Sequence, residues 1–184
     1  MRRLLLLGLL ACQGKQEPPP PTAASVQVRD SSGVLVAELR PIRPCRGSIG
    51  PVDLIVGGPP LVANLGSTEW KGSAADNGTT LYRDGQPVVR VFPTGDPKTV
   101  SVLDLHGIAL ARIALNAGVA TVTNSASVPV RSLRIEGDTI KADKPALTIT
   151  GTQDLVLGAL LSAPELSPEV RVLAACERVL VKDT

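Results

Sequence analysis

The sequence predicts a mainly β fold, an antiparallel β-hairpin barrel or sandwich with an apolar C-terminal helix in or against it and a second short C-terminal helix. Two observations support this prediction. From Val26 to about Thr150, Gly, Pro, Asp and Asn recur every 8 to 12 residues between short β-branched runs, a pattern typical of antiparallel strands. After residue 151 the chain changes to an apolar run and then an amphipathic segment, which favours helices.

The first 25 residues have a different character from this domain. Residues 1–11 combine two arginines, an apolar run and a closing small residue, which is the pattern of an export signal. The apolar run is far shorter than the roughly 20 residues that a membrane-spanning helix needs. Residues 13–25 include four consecutive prolines, and they predict a polyproline spacer about 35 to 40 Å long.

The run Leu9-Leu10-Ala11-Cys12 resembles the lipobox of bacterial lipoproteins, in which the Cys is acylated and becomes the new N terminus. This resemblance implies lipid attachment at Cys12 and anchoring in a bacterial cell envelope through N-terminal acyl groups. By the enterobacterial sorting pattern, Gln13 favours the outer membrane. The alternative is an ordinary secretory signal with an incidental Cys. The predicted organisation is a signal peptide at 1–11, a lipidated Cys and Pro-rich tether at 12–25, and a single domain at 26–184.

Charge and composition exclude some classes of partner. The chain carries 19 basic and 17 acidic residues, and without the two signal-peptide arginines 17 basic residues remain. A neutral chain with three aromatic residues lacks the positive charge and stacking surfaces of nucleic-acid binders. One His and two Cys after the tether cannot supply the four ligands of an ordinary structural zinc site. We therefore expect no nucleic-acid partner, no metal site and no cofactor.

Cys45 and Cys176 remain as one pair if Cys12 carries lipid. In an oxidising compartment they predict a disulfide that closes a loop of about 130 residues. Two buried free thiols are the alternative.

Eleven short runs are the candidate strands, and part of the sequence repeats. Residues 28–39 and 102–113 align without a gap as apolar-x-Asp-x-x-Gly followed by alternating apolar residues, with looser copies at Asp84 and Asn124. We interpret the repeated Asp and Gly as hairpin turn chemistry rather than as catalytic or metal-binding residues. The predicted strands cover residues 26–29, 34–39, 52–56, 61–65, 80–83, 88–92, 99–103, 108–115, 119–123, 128–135 and 146–150.

Two helices are predicted after the strands. Residues 155–161 are apolar on every side, with Thr152 as an N-cap and Asp154 in the first turn, so this helix must be buried all round. A central strand is the alternative for a run this short. Ser167 as N-cap and Pro168 at the first helical position open a second helix over residues 168–181.

Asp-x-x-Gly hairpins that end in an all-apolar helix after an acidic entry (Gln153-Asp154-Leu155) resemble the tubby C-terminal-like fold shared with phospholipid scramblases. The resemblance covers residues 26–161 and implies an antiparallel barrel closed around an apolar helix. Some members of that group bind phosphoinositides through basic residues. No corresponding basic cluster occurs here, so only the architecture is implied.

The remaining candidate sites are few, and no catalytic constellation is predicted. Trp70 lies in a polar stretch, residues 66–79, which predicts a loop and makes Trp70 a candidate binding surface. Tyr82 and Phe92 are interpreted as cross-strand partners. His106 in the Asp104 turn is a weak hydrolase candidate without a G-x-S-x-G elbow. Residues 76–79 lack the spacing of a calcium loop and are interpreted as an exposed turn.

These features predict a membrane-anchored cell-envelope lipoprotein, a non-catalytic structural or protein-interaction module with an envelope protein as partner. The alternative is a periplasmic β-barrel that binds a small apolar ligand or lipid. A barrel filled by its own helix would leave little room for such a ligand.

Overall fold

The computed structural model describes residues 24–75, 78–93 and 99–182. Within these residues fourteen strands form a closed antiparallel barrel, and two helices follow. This confirms the predicted fold class and selects the barrel over the sandwich. The elements are β1 (Val26–Asp30), β2 (Leu35–Arg40), β3 (Cys45–Ile49), β4 (Val52–Gly57), β5 (Val62–Leu65), β6 (Thr68–Ala75), β7 (Gly78–Arg83), β8 (Gln86–Pro93), β9 (Thr99–Leu103), β10 (Ala109–Asn116), β11 (Val119–Thr123), β12 (Pro129–Glu136), β13 (Thr139–Ala142), β14 (Leu147–Thr150), α1 (Leu155–Ser162) and α2 (Pro168–Lys182).

Every strand pairs with the next strand along the chain, and β1 closes the barrel against β14 through pairs such as Val28 with Ile149. Successive turns therefore alternate between the two ends of the barrel. We name them by this alternation. The tether end is the end at which Val26 begins β1 and Thr150 ends β14. The mouth end is the opposite end, where the turns after odd-numbered strands lie.

All eleven predicted strands are present, and three strands were missed: β3, β6 and β13. In β3 the inward positions are Cys45, Gly47 and Ile49, all buried. A Cβ on Gly47 would stand 2.6 Å from Val172 Cγ1 of α2. The wall carries glycine here because a helix packs directly against the backbone, and this removes the apolar alternation by which a strand is recognised.

The prediction of a polar loop over residues 66–79 is wrong for residues 68–75, 78 and 79, which lie in strands, and Trp70, the candidate binding surface, is buried. Trp70 lies in β6 opposite Ala63 and Arg83 and is only 3% exposed. In β6 Trp70 and Gly72 face the core, while Glu69 and Lys71 form an outward ion pair at 2.8 Å. Because β6 has polar outward residues and an inward glycine, its sequence resembles that of a loop.

The predicted pairing of Tyr82 with Phe92 is also wrong. A register shift after Leu81 places Tyr82 opposite Pro87, and Phe92 pairs with Ser101 of β9. The shift is a β-bulge, which inserts an extra residue on one strand and offsets everything beyond it.

The two helices fill the lumen of the barrel. A fourteen-stranded barrel measures about 28 Å between opposite backbones, for strands about 4.8 Å apart and tilted by about 40°, which is too wide for wall side chains alone to fill. Every residue of α1 is buried, against β1, β10, β11 and β12, and α2 packs on α1 and on β2, β3 and β4. At Gly158 the α1 backbone approaches the wall, where a Cβ would lie 3.1 Å from Ile149 Cδ1.

The start of α1 differs from the prediction in its cap. Asp154, not Thr152, is the N-cap: its Oδ1 accepts the N–H groups of Val156 at 3.0 Å and Leu157 at 3.1 Å. Thr152 accepts the N–H of Asp154 instead. The Asp154 carboxylate also binds Arg178 of α2 at 2.8 Å, so one side chain caps the first helix and ties the second helix to it.

The predicted cysteine pair is brought together in the structure. Cys45 at the start of β3 and Cys176 of α2 lie at disulfide distance, with their Cα atoms 5.7 Å apart. Arg43 beside this pair donates to the Leu180 carbonyl at 3.0 Å. Both contacts hold α2 to the wall near the tether end.

Candidate binding pocket at the mouth of the barrel

Three turns of the mouth end share one hydrogen-bond pattern. In each, the side-chain oxygen of the first residue accepts the backbone N–H groups two and four residues further on: Asp30 Oδ1 from Ser32 and Val34, Asp104 Oδ1 from His106 and Ile108, Asn124 Oδ1 from Ala126 and Val128. The Ser32 hydroxyl also donates to Asp30, and this bond lowers the pKa of the Asp30 carboxyl below its usual value. The repeated residues therefore act in turn chemistry, as predicted.

A pocket of about 730 Å³ opens at the mouth end, where α1 gives way to α2. We call it the mouth pocket. Apolar side chains from the wall and the helices form most of its lining, and Leu35 and Val36 at its edge are exposed to solvent. Its volume lies in the range typical of small-molecule sites. Two arginines, Arg131 and Arg171, supply its positive charge.

Arg131 points from β12 into the lumen and is 4% exposed. Its guanidinium donates to the Asp143 carbonyl at 3.2 Å, the Lys144 carbonyl at 3.1 Å and the Ser162 carbonyl at the end of α1. It thereby satisfies a carbonyl that the helix end leaves without an intrahelical partner. Burial lowers the pKa of Arg131, and the guanidinium stays charged because arginine is not deprotonated in proteins.

Arg171 lies half-buried in the first turns of α2 and also lines the mouth pocket. Its Nε donates to the Leu166 carbonyl at 2.8 Å. Burial lowers the pKa of Arg171, and the nearby positive charge of Arg131 lowers it further. The Glu165 carboxylate offsets both effects in part.

Sequence reasoning missed both arginines as site residues. A signal existed for Arg131, because it stands two residues before Leu133, at the same inward phase of β12. A charged residue at an inward position is unusual and calls for a partner. Arg171 carried no such signal, since a charge in the first turns of an amphipathic helix is ordinary.

The residues singled out from the sequence lie apart from this pocket or outside the described chain. Cys12 lies outside the described residues, and so do residues 76 and 77 of the expected exposed turn. Trp70 is buried in the wall, its ring 6.0 Å from the Arg83 guanidinium. His106 is exposed in its turn at the mouth end.

A partly buried carboxylate lies at the tether end. Glu177 of α2 accepts a hydrogen bond from the Thr79 hydroxyl. Burial raises the pKa of Glu177, and the hydrogen bond offsets this only in part.

Comparison with known proteins returned no relatives: no protein family, no curated protein and no solved structure matches the chain. The resemblances to bacterial lipoproteins and to the tubby-like fold stay predictions. Among the described residues, no helix is long and apolar enough to cross a membrane. The same residues contain no cluster of three or more His, Cys, Asp or Glu side chains that could hold a metal ion.

Proposed function

We propose that this chain is a lipid-anchored lipoprotein of a bacterial cell envelope whose barrel contacts an envelope protein through its mouth end. One observation carries the proposal. The residue after each of the three repeated turns is a large apolar side chain that is more than half exposed: Val34 at 58%, Ile108 at 56% and Val128 at 53%. The three turns lie at the same end of the barrel, spread around its rim, so a protein that covers the mouth end would contact all three side chains.

The position of the tether supports this arrangement. The chain enters the barrel at Val26, at the tether end. An acyl group on Cys12 would therefore hold the tether end toward the membrane and turn the mouth end away from it. A spacer of about 35 to 40 Å gives the mouth end room to reach a second protein.

The anchor is tested by the intact mass of the protein extracted with detergent from its native membrane, before and after reduction. We expect residues 12–184 plus acyl groups, with a gain of two hydrogen atoms on reduction. Cys12→Ala should move the protein into the soluble fraction. An unacylated mass, or a Cys12→Ala protein that remains in salt-washed membranes, contradicts the anchor.

The interaction surface is tested by photo-crosslinking in the producing cells. A photoreactive residue at Ile108 or Val128 should give a discrete protein adduct. The same residue at Asp138, exposed in a turn at the tether end, is the matched control. Equal adducts at both ends, or none at the mouth end, contradict the proposed surface.

A second candidate function is the binding of a small apolar ligand, and the mouth pocket favours it. The helices fill most of the lumen, but they leave about 730 Å³ between themselves and β1, β2 and β14. Such a ligand would sit at the mouth end rather than in the centre of the barrel.

A further inference from the structure

The two arginines of the mouth pocket form no ion pair within the described chain. None of the described carboxylates lies within ion-pair distance of Arg131 or Arg171. Charges removed from water are normally paired, because the loss of hydration is costly. Two neighbouring guanidinium groups without an ion pair leave a place for an anion.

The hydrogen-bond donors of Arg171 are available for such an anion. Arg131 uses each of its three nitrogens to hold backbone carbonyls. Arg171 uses only Nε, and its two terminal nitrogens have no hydrogen-bond partner among the described residues. A guanidinium with both terminal nitrogens free can hold a carboxylate or phosphate through two parallel bonds.

The surrounding charges favour an anion with one negative charge. Arg131 and Arg171 contribute two positive charges, against which the Glu165 carboxylate acts on both guanidinium groups and the Asp143 carboxylate acts on Arg131. The hydrogen bonds that Asp30 accepts within its own turn and Asp143 accepts from Ser132 of β12 do not cancel the negative charge of either carboxylate. A monoanionic carboxylate fits this balance better than a doubly charged phosphate.

The rest of the lining favours an acyl chain. Val28, Leu35, Ile49, Leu147 and Leu161 surround the space beside the arginines. A peptide in this space would leave its backbone N–H and C=O groups without partners on these side chains, which is unfavourable. A hydrocarbon chain carries no such groups and gains from burial.

We propose that the mouth pocket binds a single-chain amphiphile with a carboxylate head, of the fatty-acid class, with the carboxylate on Arg171 beside Arg131. The hydrocarbon chain lies along Leu147, Leu161 and Leu35 toward the solvent edge. This inference rests on the second proposed function, that the mouth pocket takes an apolar ligand.

Calorimetric titration of the full chain carrying Cys12→Ala, freed of bound lipid, tests the inference. Decanoate is the probe, and 1-decanol is the neutral analogue of equal chain length. Decyl phosphate and a hydrophobic peptide with a free C-terminal carboxylate are the competing classes. We expect decanoate to bind at least about tenfold more tightly than 1-decanol, the gain typical of a charge-assisted hydrogen bond.

Variants then assign the head group to its residue. Arg171→Gln should weaken decanoate binding about tenfold to hundredfold and leave 1-decanol binding unchanged, which also shows that the pocket is intact. Arg171→Lys keeps the charge but loses the paired donors, so its affinity for decanoate should lie between those of the parent protein and Arg171→Gln. Arg112→Gln, on an exposed outward position of β10, is the matched control and should bind as the parent protein does.

The outcomes separate the two levels of the proposal. Equal affinity for decanoate and 1-decanol overturns the carboxylate inference but keeps the apolar-ligand function. Binding of neither compound overturns both. Tighter binding of decyl phosphate or of the peptide than of decanoate overturns the fatty-acid class, and equal loss of decanoate and decanol in Arg171→Gln overturns the role of Arg171.

Discussion

Replacing both bridging cysteines, Cys45→Ala with Cys176→Ala, should lower the free energy of unfolding by up to about 5 kcal/mol. The two residues are 131 apart in sequence, and the loop-entropy relation assigns about 5 kcal/mol to a closure of that length. Because folded domains are stable by only about 5–15 kcal/mol, this bond accounts for a third or more of the total. For a chain of this size the loss corresponds to a melting temperature lower by about 10–20 °C.

The measurement is equilibrium unfolding in urea with Cys12→Ala as the parent, so that only the bridging pair differs. Both cysteine side chains are fully buried, so their truncation also leaves a small cavity. The reduced parent protein is therefore measured beside the double variant. The double variant itself should not respond to reductant.

A loss below about 1 kcal/mol, in both the reduced parent and the double variant, would refute the reasoning. It would mean that the disulfide does not restrict the unfolded chain. A change in the slope of the urea transition would indicate that the loss of the bond alters the compactness of the unfolded state.

Three further predictions concern the helices that fill the barrel. Burial raises the pKa of Glu177 above its ordinary 4.5, so protonated Glu177 stabilises the folded state fully below pH 4.5, and this stabilisation is lost as the pH rises through the raised pKa. Glu177→Gln should therefore abolish this decline in stability with rising pH. A pH series of thermal melts, with Glu136→Gln as an exposed control, checks this, and a parent protein whose stability does not fall in that window contradicts it. Asp154→Ala removes the cap of α1 and should cost about 1–2 kcal/mol in urea unfolding, whereas Asp154→Asn keeps a capping oxygen and should cost less; equal losses would argue against the cap. Leu160→Ala, at a side chain 1% exposed in α1, should lower the free energy of unfolding by about 2–5 kcal/mol, whereas Leu105→Ala, in an exposed turn (54%), should change it by no more than about 0.5 kcal/mol. A similar loss at the two sites would show that α1 is not packed in the lumen.

The strands were predictable where their own residues carry the pattern. β10, β11 and β12 are short runs rich in apolar residues between turns marked by Asp, Asn or Gly, so local chemistry specifies them. β3 and β6 have glycine at an inward position, Gly47 and Gly72, because Val172 and Leu61 occupy the space there. That reason lies elsewhere in the chain and cannot be read from the strand itself.

The choice between barrel and sandwich was left open for a similar reason. It depends on the pairing of β1 with β14, in which Gln27 meets Thr150, and no local signal reports a contact between distant residues. The cysteine pair could be predicted because elimination left only two thiols. The mouth pocket could not, because Arg131 and Arg171 meet only when β12 and the two helices are assembled.

The closing pair of strands also constrains the order in which the chain can reach its native state. β1 can complete its pairing only when β14 has been synthesised, and the two helices that fill the apolar lumen follow β14 in the chain. A chain that is synthesised from its N terminus therefore cannot complete a stable barrel early. Pairing between residues so distant in sequence is also slow. For the export proposed above, such late closure is favourable, because β14 and both helices must be present before the barrel is complete.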